Sequence, residues 1–113
     1  MSHIKLEVSK SEQASAKNPL AVSKETYVIE AGEGEGLALD FLNEIILFSI
    51  SIAGDKVRII QDEDSIDKKL FFKHKQQSGE FKEITVVKDD KFSLSLSEKG
   101  LNSTWDIKFL EIS

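Results

Sequence analysis

The chain has 113 residues, with 15 Lys and Arg against 20 Asp and Glu for a net charge of −5, 40% hydrophobic residues, one proline and no cysteine. These figures point to one soluble domain with a single hydrophobic core, and they exclude a disulfide framework, a thiolate metal site and a thiol nucleophile. They also argue against duplex nucleic acid as a partner, because phosphate neutralisation needs a surplus of basic side chains.

The N-terminus shows no basic stretch followed by an apolar run, so no secretory signal is expected. Ile4, Leu6 and Val8 alternate with Lys5 and Glu7, which predicts a first strand. Residues 9–23 (SKSEQASAKNPLAVS) carry no such pattern and hold the one proline, Pro19. They are expected to form a long loop, or an arm that lets the N-terminal strand pair with another subunit. A short strand follows over Thr26 to Glu30.

The run Ala31-Gly-Glu-Gly-Glu-Gly36 lacks the spacing of a phosphate-binding loop, and Glu33 and Glu35 would repel a phosphate, so it reads as a turn. Leu37 to Phe41 alternates again, as do Phe48, Ile50 and Ile52 with Ser49 and Ser51. Gly54-Asp55 supplies a hairpin turn into Lys56 to Ile60. Leu37 to Leu47 also fits one face of a helix, which stays open beside the strand reading; the β-branched richness of Ile45 to Ile52 favours strands. The uncharged stretch from Ile45 to Gly54 is about half the ~20 residues a membrane-spanning helix needs, so no span is expected.

Beyond the acidic loop Asp62 to Asp67, strands are predicted over Leu70 to Lys75, Phe81 to Lys88, Phe92 to Ser97 and Trp105 to Ile112. Turn residues separate them, including the stretch 76–79. The expected fold is all-β: one antiparallel β-sandwich over 1–113, jelly-roll or Ig-like, of eight or nine strands, with a small barrel as the alternative. Phe41, Phe48, Phe72, Phe92 and Trp105 are among its expected core.

Chemistry-bearing residues are sparse. The histidines are His3 and His74, so a Ser-His-Asp triad would have to use His74, and no serine stands in a Gly-x-Ser-x-Gly context. His74 closes a core-facing row, where a hydrogen-bonded structural histidine is the simpler expectation. Four carboxylates fall within Asp62 to Asp67, an oxygen-rich loop of the kind calcium uses, with Asp62, Asp64 and Asp67 as the candidate ligands. Lys69, Phe71, Lys73 and Lys75 alternate onto one strand face and form a candidate anion-binding row. The charge is uneven: residues 25–67 hold two basic and eleven acidic residues, flanked by two mildly basic ends.

Ser49, Ser51, Ser93, Ser95 and Ser97 stand opposite hydrophobic rows. Short uncharged side chains permit close approach by another surface, so these serines are the candidate interaction face. With no credible catalytic set, the leading expectation is a non-enzymatic protein-interaction or assembly module, self-associating through a sheet face or the N-terminal strand. The alternative is a carbohydrate- or small-ligand-binding sandwich, calcium-assisted, near Asp62–Asp67 or Gly32–Gly36; a carboxylate-based hydrolase comes third. No other cofactor is expected. The absence of cysteine fits a cytoplasmic setting, with a secreted or periplasmic one left open.

Overall fold

The computed structural model describes residues 3–14, 22–41, 44–62, 70–98 and 100–112. Ten strands run through them: β1 (His3–Ala14), β2 (Val22–Gly32), β3 (Gly36–Phe41), β4 (Glu44–Ala53), β5 (Lys56–Gln61), β6 (Phe71–His74), β7 (Gln77–Glu80), β8 (Glu83–Val87), β9 (Lys91–Glu98) and β10 (Leu101–Ile112). They form two antiparallel sheets, six-stranded in the order β2-β1-β10-β9-β6-β7 and four-stranded in the order β3-β4-β5-β8. The sheets pack as a β-sandwich.

Alternation builds both layers. Ile4, Leu6 and Val8 on β1 face inward with Trp105, Ile107 and Phe109 on β10 and Phe92, Leu94 and Leu96 on β9, all buried. Leu37, Leu39 and Phe41 on β3 and Ile46, Phe48 and Ile50 on β4 meet them from the other sheet. The strict alternation of burial along β3 settles its conformation as strand, because a helix would bury every third or fourth side chain instead. Phe81, in the link from β7 to β8, stands edge-on to Phe48 at 5.8 Å and to Phe72 at 5.9 Å, an aromatic seam joining the layers. Phe72, expected in the core, is half-buried beside it.

Two expectations are corrected. Ser9 to Ala14 continue β1, and Val22 and Ser23 begin β2, so the loop or arm expected over 9–23 does not include them; the remainder, 15–21, lies outside the described residues. The ladder continues because β1 is paired along its length with both β2 and β10. Gln77 to Gly79, expected as part of a turn, belong to β7 (Gln77–Glu80), which pairs with β6. The turn is only Lys75-Gln76, with Lys75 at a left-handed φ of 56°. Because that conformation is costly for a residue with a Cβ, Lys75→Gly is expected to raise stability by about 0.5–1 kcal/mol, read from urea unfolding; a loss of stability would contradict the reading.

The glycine run is explained by two positions. Gly34 takes a left-handed φ of 82° in the turn that Glu35 N–H closes onto Gly32 C=O at 3.0 Å. A Cβ on Gly36 would sit 3.2 Å from the carbonyl oxygen of Phe48, so β3 approaches β4 closely there.

Candidate interaction surface

The five candidate serines do not form one surface. Ser49 and Ser51 lie on the outer face of β4, in the four-stranded sheet, and Ser93, Ser95 and Ser97 on the outer face of β9, in the six-stranded one. The β9 set is already occupied: Ser93 Oγ donates to Asp106 Oδ1 at 2.7 Å, and Ser97 Oγ donates to Asn102 Oδ1. Ser9 and Thr26 share a further hydroxyl contact at 3.3 Å on the same sheet. That face is a polar lattice bonded to itself.

The anion-binding row is only partly assembled. Phe71, 58% exposed, sits opposite Ser95, and Lys73 opposite Ser93. Lys75 leaves the row at its turn, its Nζ 3.8 Å from Asp90 Oδ1. Glu80 lies opposite Phe71 on β7, and Asp106 lies beyond Ser93, so carboxylates are interleaved with the cations. Lys69 lies outside the described residues.

Of the proposed calcium ligands, Asp64 and Asp67 lie outside the described residues. Asp62 follows β5 and donates its N–H to Leu47 C=O at 2.9 Å. Asp89 and Asp90 stand at the other end of the strands, since Val87 pairs with Lys56 at the start of β5. They therefore cannot share a metal site with Asp62. Among the described residues, no group of three or more His, Asp or Glu is placed to hold a metal ion.

His74 is buried, with Nε2 3.3 Å from Asp90 Oδ2. The same carboxylate oxygen accepts the Val87 N–H at 3.1 Å, while the Asp90 backbone carbonyl accepts the Phe109 N–H at 3.0 Å. His74 thus fastens the β6–β7 hairpin to the β8–β9 turn, a bracing role. Near it, an open cleft of about 450 Å³ is lined by Arg58, Phe72, Gln77 and Glu83, with Arg58 and Glu83 tied together at 2.7 Å.

A second open cleft, of about 710 Å³, lies at the β2–β3 turn, lined by His3, Glu30, Glu33, Glu35 and Ile52. Its walls are acidic, and Glu33 is engaged by the Ile52 N–H.

The feature that the serine pattern did not locate is apolar. On the outer face of the four-stranded sheet, Ile45 is 53% and Leu47 40% exposed. Exposed Ala38 pairs with Leu47, and half-buried Ile60 pairs with Ser49. The signal was present as the unbroken run Ile45-Ile-Leu-Phe48: neighbouring residues on a strand face opposite ways, so half of the run must point outward. The small residues Ala38 and Ser49 adjoin Leu47, with Gly36 and Ser51 a step further, while exposed Asp40 stands opposite Ile45 and Asp62 beside Leu47.

Beside this patch, β3 is the least protected of the four sheet edges. Edge β2 carries Lys24, Glu25 and Glu30, and β7 and β8 are only four and five residues long. In β3 the one charge is Asp40. Its end is held by Lys10, buried on β1, whose Nζ donates to Asp40 C=O at 2.6 Å, pairs with Glu12 at 2.8 Å and lies 5.7 Å from the centre of the Trp105 ring.

Tyr27, half-buried on β2, has its phenol pushed above the usual value of 10.0 by burial, then by the charges of Glu25 and Asp40. The folded state holds this proton more tightly than the unfolded chain. The associated stability is therefore complete below that usual value and lost as pH rises through the raised folded one. Above about pH 10 the melting temperature of the native protein is expected to fall more steeply than that of Tyr27→Phe. Parallel alkaline slopes would contradict this assignment.

Comparisons with protein-family models, with curated proteins and with solved structures find no match to this chain. No helix among the described residues is long and apolar enough to cross a membrane.

Proposed function

We propose that this domain is a non-enzymatic protein-interaction module that docks a polypeptide on the outer face of its four-stranded sheet, at the β3–β4 corner. The observation that carries this reading is the exposed pair Ile45 and Leu47, beside Ala38 on an edge strand with a single charge. A solvated sheet face ordinarily alternates to polar residues, whereas an apolar centre with a charged margin is the anatomy of an interface. The route through the N-terminal strand is supported less, because both edges of β1 are already paired within the chain. The ligand-binding alternative, where it uses the glycine turn Gly32–Gly36, would occupy the acidic cleft there, whose lining among the described residues offers no Phe, Tyr or Trp platform for a sugar.

The test is site-specific photo-crosslinking in the native cellular background, with a benzophenone side chain at Leu47 and, as control, at Thr104 on the opposite sheet. Polypeptide crosslinks from Leu47 and not from Thr104 are expected. Equal crosslinking from both positions, or none from Leu47, would remove the proposal.

A further inference from the structure

We infer that the polypeptide received at this corner binds as an added strand on the free edge of β3, and that it is an extended segment whose apolar centre is flanked by basic residues. This inference rests on the interaction reading above and adds the conformation and charge of the partner.

Register determines which backbone groups of β3 are free. Leu47 C=O accepts the Asp62 N–H, so Leu47 turns its backbone groups toward β5. Ala38, directly opposite Leu47, therefore exchanges no hydrogen bonds with it, and the Ala38 N–H and C=O point away from β4. Gly36 and Asp40, two residues to either side, share that orientation. Lys10 Nζ, reaching Asp40 C=O from β1, agrees with it. Among the described residues β3 has no second neighbour in its sheet. Both groups of Gly36 and Ala38, and the N–H of Asp40, thus form an edge on which a further strand can pair. The small side chain of Ala38 lets a long apolar side chain of that strand cross it to exposed Leu47.

Charge at the two ends of this edge selects the strand. Glu30, Glu33 and Glu35 line the cleft where β3 begins. At the other end Asp40 is joined by Glu25 of β2, since both carboxylates act on the Tyr27 phenol. Lys10 is buried there and already paired with Glu12. Basic residues at the ends of an incoming strand meet carboxylates, whereas acidic ones are repelled.

Amide spectra of the whole chain, titrated with the synthetic peptide Lys-Val-Thr-Val-Thr-Val-Lys up to about 1 mM, provide the test. The Gly36, Ala38 and Asp40 amide protons are expected to move downfield as they gain acceptors, and those of Leu37 and Leu39, already bonded to β4, to move less. The same peptide with glutamate at both ends is expected to bind about tenfold more weakly at low salt, with the gap closing as salt is added. Methylation of the peptide's backbone nitrogens is expected to abolish binding. Ala38→Pro removes an N–H that β4 does not use, so it is expected to fold, as verified by circular dichroism and thermal melting, and to lose the peptide. The inference is overturned if the lysine-flanked peptide leaves the three edge amides unmoved, if the glutamate-flanked peptide binds as well, or if binding survives peptide methylation. Polypeptide crosslinks from Leu47 that persist unchanged in folded Ala38→Pro would overturn strand addition alone and leave the interaction module standing.

Discussion

Trp105→Ala is expected to lower the stability of the domain by about 3–5 kcal/mol, the largest loss for any single side chain here. The indole is fully buried on β10 and meets Phe41 of the other sheet edge-on, with ring centroids 6.3 Å apart and an interplanar angle of 62°. Its removal leaves a void between the sheets and takes away the ring beneath the Lys10 ammonium. Packing, not hydrogen bonding, carries this contribution, since among the described residues the indole N–H has no partner. Trp105→Phe, which keeps most of the ring and discards the unsatisfied donor, should therefore recover more than half of the loss. Urea unfolding with unchanged m-value reads both variants. A loss below about 1 kcal/mol for Trp105→Ala would show that the sheets do not close on this ring.

Asp90→Ala is expected to cost about 1–3 kcal/mol although Asp90 lies in a turn, where substitutions are usually mild. Its carboxylate accepts the Val87 N–H, sits 3.3 Å from His74 Nε2 and lies near Lys75. The alanine variant leaves a buried imidazole and a turn N–H without their acceptor. Lys75 contributes little, being largely exposed. Asp90→Asn keeps a side-chain oxygen for Val87 and a polar partner for the His74 ring, and should fall between the native protein and the alanine variant. Amide exchange at Val87 offers a local readout, faster in Asp90→Ala. Stability within about 0.5 kcal/mol of native would assign the bracing of this turn to its backbone alone.

How much of this was legible in the sequence depends on the residue type that carried the pattern. Where large apolar residues alternate with polar ones, as in Phe92-Ser-Leu-Ser-Leu, the strand and its buried face could be read directly. Ser9 to Ala14 and Gln77 to Glu80 alternate among polar residues, so nothing in their hydropathy distinguishes strand from loop. Only their pairing with neighbouring strands makes them sheet. The serines show a second limit. Period two tells which residues share a face of one strand, yet Ser49 and Ser95 look alike in sequence and end up on outer faces of opposite sheets. Sheet assignment depends on crossovers, which local pattern does not encode. The β4 patch was recoverable from Ile45-Ile-Leu-Phe48, where Leu47 falls on the same strand face as Ser49 and Ser51, although the candidate face was drawn through the serines alone. The braces at Lys10 and Asp90 join residues 30 and 16 positions apart, and no spacing rule anticipates such pairs.

The central claim, that the outer face of the β3–β4 corner receives another polypeptide, is tested most directly by crosslinking with a benzophenone side chain placed in turn at Ala38, Ile45 and Leu47, with Ser95 on the opposite sheet as control. Polypeptide crosslinks from the three outer-face positions and none from Ser95 are expected. Crosslinks from Ser95 alone, or from no position, would contradict it.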